Sequence, residues 1–110
     1  MKRETYERVI EDIFVADKAI LAEVLTVNPS DLSLVARQKS LRSGKLDLLL
    51  LYQSVLILVE LKVTPFSVEM IDQINNYELD LLQLQAEKKL IAAPIKKLLL
   101  VTSFSSEAIL

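Results

Sequence analysis

The chain of 110 residues is 52% hydrophobic and 25% charged, with one Gly and three Pro. That is one packed domain, and it excludes a multi-domain chain, a disordered tail and a linker. Thirteen Lys and Arg stand against 15 Asp and Glu for a net charge of -2, so any polyanionic partner must meet a local patch rather than bulk positive charge. There is no Cys and no His, which removes Cys/His zinc sites, thiol nucleophiles, Ser-His-Asp triads, haem-type His ligation and disulfide scaffolds. Carboxylates, lysines, hydroxyls and amides are left to carry any chemistry.

The opening Met1-Lys2-Arg3-Glu4 leads into mixed charged and apolar sequence, unlike a secretion signal. The most apolar stretch, 46–61, is interrupted by Asp47, Gln53 and Glu60 and falls short of a membrane span. A soluble, cytoplasmic protein with no membrane partner is expected.

Over 4–25, Tyr6, Val9, Ile10, Ile13, Phe14, Ile20, Leu21, Val24 and Leu25 recur three and four apart, which predicts one amphipathic helix. Asn28-Pro29-Ser30-Asp31 stops it. Residues 32–41 alternate loosely, as a short strand near a sheet edge does. Gly44 marks the turn into the next strand. Segments 46–52 and 55–63 read as strands apolar on both faces, joined at Gln53-Ser54, so the sheet should be covered on both sides. After Thr64-Pro65 a second helix is expected over about 66–90, burying Val68, Ile71, Ile74, Tyr77, Leu81 and Leu84. Ala92-Ala93-Pro94 breaks it, and 98–101 forms a last strand. Ser105-Ser106-Glu107 resembles the cap of a further helix. The order is α-β-β-β-α-β, an α/β fold with a four-stranded mixed sheet flanked by helices. The apolar surface of so small a chain calls for a homodimer or additional C-terminal sequence.

Two acids interrupt the greasiest region. With Gln53-Ser54 as a two-residue hairpin turn, Tyr52 pairs with Val55, and counting outwards brings Asp47 opposite Glu60. Opposed residues of an antiparallel pair have Cβ atoms about 4.5–5.5 Å apart, and like charges there repel. Two such carboxylates want a cation. Lys62 shares a strand face with Glu60. Oxygen ligands without His or Cys favour a hard ion, Mg²⁺ or Mn²⁺. Lys62 would then position or deprotonate a water, or offset charge developing on a phosphate. Phosphodiester hydrolysis is the chemistry this suits, with one ion or two.

Gly44-Lys45-Leu46-Asp47, Val59-Glu60-Leu61-Lys62 and Gln73-Ile74-Asn75-Asn76-Tyr77 together resemble the PD-(D/E)xK nuclease superfamily, in its RecB-like or NucS-like flavour. The resemblance runs from the first helix to the last strand and implies a restriction-endonuclease-like αβββαβ core and a metal-dependent deoxyribonuclease acting in a process such as DNA repair. It implies Asp47, Glu60 and the backbone carbonyl of Leu61 as metal ligands, Lys62 as the catalytic lysine, and Gln73 and Tyr77 beside the active site. The proline that names the superfamily is replaced by Leu46. Members often add a Glu from the first helix, for which Glu7 is preferred here and Glu11 is the other candidate.

Each feature also has a plainer reading. Glu60 can pair with Lys45 or Lys62 structurally, which leaves Asp47 unexplained. Tyr77 can be a core residue with its hydroxyl at the rim. Arg37, Lys39, Arg42 and Lys45, with no acid between Asp31 and Asp47, form either a track for DNA phosphates or a charged edge that resists aggregation. Glu7 and Glu11 can be ordinary helix-surface acids. A nucleic-acid-binding or assembly module that keeps the nuclease fold without turnover is the alternative to the enzyme.

Overall fold

In the computed structural model, which describes residues 3–101, the elements are α1 (Arg3–Ala16), α2 (Lys18–Leu25), a 3-10 turn (Pro29–Asp31), β1 (Leu32–Leu41), β2 (Gly44–Tyr52), β3 (Val55–Lys62), α3 (Val68–Ala86) and β4 (Ile95–Val101). The helix expected over 4–25 is two helices. Asp17 adopts extended backbone and its carboxylate accepts the N–H of Ala19 at 3.0 Å. An aspartate that caps the second helix competes successfully with continuing the first. The cap sequence at 105–107 lies outside the described residues.

One mixed sheet has the order β1-β2-β3-β4. β1, β2 and β3 are antiparallel neighbours, and β4 lies parallel to β3. A parallel neighbour needs a crossover, which α3 supplies. The hairpin is centred where its sequence puts it. Tyr52 pairs with Val55, and Gln53 and Ser54 take φ of 48° and 69°, the two left-handed residues of a type I′ turn whose twist matches that of the strands.

Helices cover both faces. Leu48, Leu50, Ile57, Val59 and Leu61 pack with Phe14, Leu21 and Ala22 of α1 and α2. Leu46, Leu49, Leu56 and Leu58 pack with Ile74, Tyr77 and Leu81 of α3. This double burial is why β2 and β3 are leucine-rich without polar alternation. The stripe expected on α3 is right from Ile74 onwards. Val68 and Ile71, at its first turns, are 67% and 39% exposed and stand outside the cluster that buries Ile74, Tyr77 and Leu81.

β1 runs ten residues and lies at a sheet edge. Its register with β2 shifts between Leu34 and Ala36, and Gln38 and Asp47 drop out of the pairing between Arg37–Leu48 and Lys39–Leu46. Alternation along β2 slips at the same point, since Leu46 and Leu49 belong to one cluster while Leu48 belongs to the other. The interruption falls at the acid the sequence singled out.

Candidate functional site

The β2–β3 ladder is regular from Tyr52–Val55 out to Leu48–Val59. Beyond it, side chains replace main-chain pairing. The Asp47 N–H donates to Glu60 Oε1 at 2.9 Å, and the Leu61 N–H donates to Asp47 Oδ2 at 2.8 Å. Asp47 and Glu60 are therefore neighbours as the hairpin count required, but they do not form a ladder pair. Each carboxylate holds a backbone N–H of the other's neighbourhood, so a metal ion is not the sole group that makes this arrangement tolerable.

Burial and charge still work against ionisation here. Glu60 is 2% exposed, and its carboxyl is pushed up to about 7, first by desolvation and then by the charge of Asp47. Asp47 is also raised, mainly by desolvation, against the hydrogen bonds from Leu61 and Gln38. Lys62 Nζ lies 3.7 Å from Glu60 Oε2 and is half-buried. One lysine stands against several acids.

The helix acids surround the pair. Glu11, 2% exposed, accepts from Arg37 Nε at 2.6 Å and from Gln38 Nε2 at 2.6 Å. Gln38 Nε2 also reaches Asp47 Oδ1 at 3.2 Å. Glu7 accepts the Val63 N–H at 3.3 Å. Both helix acids thus face the site, Glu7 beside the end of β3 and Glu11 through Gln38. Among the described residues no three acids converge as a ready ligand set; the charge of Glu7 is felt at Glu60 and that of Glu11 at Asp47.

Gln73 and Tyr77 sit on α3 one turn apart. Gln73 Nε2 donates to Tyr77 Oη at 3.1 Å, and Tyr77 Oη donates to the Lys45 carbonyl at 3.0 Å. Tyr77 is 1% exposed. Its hydroxyl is pushed up to about 12 by desolvation and by the charges of Glu60 and Asp47, so it stays protonated and donates. The pair clamps the start of β2 to α3.

The basic cluster divides. Arg37 is engaged by Glu11 and by Asp12. Its side chain stays partly exposed but is already paired with these two acids, unlike the other members of the phosphate track expected from the sequence. Lys39, Arg42 and Lys45 make no ion pair among the described residues, and Arg42 on the β1–β2 turn and Lys45 at the start of β2 are exposed. Sequence reasoning missed Gln38 altogether. Its position opposite Asp47 in the β1–β2 register was the available signal, and an uncharged side chain in a basic stretch hid it.

No family model matches the sequence, and no curated protein matches it. No described helix is long and apolar enough to cross a membrane.

Proposed function

We propose that the chain is a metal-dependent DNA nuclease with a restriction-endonuclease-like core, hydrolysing phosphodiester bonds. The observation that carries this reading is the pair Asp47 and Glu60, held side by side by reciprocal backbone bonds where β2 and β3 part, with Lys62 at 3.7 Å. The element order and the placement of a buried helix glutamate beside the pair support it.

The donor set fits a hard cation. It consists of carboxylate and carbonyl oxygens, and each carboxylate oxygen that accepts one hydrogen bond keeps a second lone pair. Asp47, Glu60 and the Leu61 carbonyl would hold Mg²⁺ or Mn²⁺, which when bound supplies Lewis acidity and offsets phosphate charge. Lys62, beside Glu60, places an ammonium where charge develops on the attacked phosphate or where a water must be oriented. Lys39, Arg42 and Lys45 would hold DNA phosphates along the adjoining end of the β1–β2 hairpin. Gln73 and Tyr77 contribute by fixing the backbone of Lys45 rather than by touching substrate.

One observation favours a second reading. Both carboxylates already have backbone partners, which a binding or assembly module without turnover would also need in order to tolerate them. Incubation with Mg²⁺ or Mn²⁺ and a panel of single-stranded, duplex and branched DNA separates the two. Metal-dependent products, lost by about 100-fold or more in Asp47→Asn and Lys62→Ala, support the enzyme. DNA binding without products at any metal concentration supports the module, and neither binding nor metal uptake sinks both.

A further inference from the structure

Gln38 lies at the interruption of the β1–β2 pairing, between Arg37–Leu48 and Lys39–Leu46. Its backbone φ is 50°, the left-handed region that side chains other than Gly, Asn and Asp seldom adopt. That twist lets its amide stand between two acids, with Nε2 2.6 Å from Glu11 Oε2 and 3.2 Å from Asp47 Oδ1. Both neighbours are carboxylates and ionised ones only accept, so the amide nitrogen must face them and its two hydrogens serve one acid each. Asp47 is then held by donors from both sides: Gln38 of β1 on Oδ1 and the Leu61 N–H of β3 on Oδ2. A lysine at this place would also bridge the acids but would cancel one of their charges. The neutral amide joins them and leaves the negative charge for a cation.

We propose that Gln38 is a positioning residue for the metal centre, fixing the plane of the Asp47 carboxylate and coupling the buried Glu11 to it. This inference rests on reading Asp47 and Glu60 as metal ligands. Groups that orient a ligating carboxylate typically change metal affinity by about 10–100-fold when removed.

The test is Mn²⁺ binding to the whole chain, followed by electron paramagnetic resonance without DNA, in Gln38→Gly and Gln38→Lys. Glycine takes the left-handed backbone without strain, which compensates in part for the lost hydrogen bonds. Its melting temperature should stay near that of the unmodified chain while Mn²⁺ affinity falls by about 10–100-fold. Gln38→Lys keeps a donor between the acids, so the fold is held, but its charge should weaken Mn²⁺ further than Gln38→Gly does. If the unmodified chain binds Mn²⁺ and both folded variants bind it within about threefold, short of the change expected for an orienting group, the role of Gln38 is overturned and the metal centre stands. If the unmodified chain binds no Mn²⁺, the metal centre falls and this role with it.

Discussion

The carboxylates of Asp47 and Glu60 each accept a backbone N–H from across the strand pair: Glu60 accepts that of Asp47 itself, and Asp47 accepts that of Leu61, the residue after Glu60. Two acids on neighbouring strands thereby replace the ladder at the point where the strands separate. These two bonds explain how like charges are held together in the protein alone, and they leave the pair short of positive charge.

That shortage gives a pH dependence of definite sign. The Glu60 carboxyl rises from its ordinary 4.5 to about 7 on folding, so across that window the folded chain holds a proton that the unfolded chain has released. Stability contributed by this group is therefore full below pH 4.5 and lost as pH rises to about 7. The loss is of the order of 3 kcal/mol. In metal-free buffer, urea denaturation should show this decline relative to Glu60→Gln, and Mg²⁺ added at neutral pH should restore stability to the unmodified chain alone. Parallel pH profiles for the two proteins would contradict the buried, charge-opposed state of Glu60.

Arg37 is committed to Glu11, which is 2% exposed, and to Asp12. Arg37→Ala leaves the buried acid with only the Gln38 amide. The cost should be about 1–3 kcal/mol, below that of a fully buried pair because the guanidinium is partly exposed. The salt dependence of DNA binding should barely change in Arg37→Ala, whereas Arg42→Ala and Lys45→Ala should each lower its slope by about 1. An equal loss of slope in all three would return Arg37 to the phosphate track.

Gly44 has φ of 146°, and a Cβ built on it would come within 2.8 Å of Tyr77 Oη. Gly44→Ala should therefore be destabilising by about 1–3 kcal/mol through backbone strain and contact together. Tyr77→Phe removes the hydroxyl and its bond to the Lys45 carbonyl, about 1 kcal/mol. The double variant should be less destabilised than the sum of the two, since the hydroxyl is the atom in the way. Thermal melts of the four proteins measure the coupling, and strict additivity would show that backbone strain is the whole cost.

At the hairpin tip, Gln53 and Ser54 occupy left-handed backbone that Asn-Gly adopts more readily. Replacing both should stabilise the chain by about 0.5–1.5 kcal/mol without altering metal or DNA affinity. A melting temperature that fell would mean that the turn type is wrong.

The sequence determined those features whose signals lie within a few residues. Leucine-rich runs around Gln53-Ser54 set a hairpin, its count outwards made Asp47 and Glu60 neighbours, and Ile74, Tyr77 and Leu81 at helical spacing set the buried face of α3. Turn chemistry and hydrophobic period act locally, so they survive translation into a pattern. The tertiary structure alone decided which long polar side chains meet. Arg37 and Gln38 reach Glu11 across 26 and 27 residues of chain. Nothing near those residues in the sequence marks their partner, because packing α1 over the sheet is what brings it within reach. For the same reason the break at Asp17, the exposure of Val68 and Ile71, and the bridging place of Gln38 emerged only once the layers were assembled. A capping carboxylate, an apolar stripe and an amide are each compatible with more than one surrounding, and it is the packed neighbours that select among them.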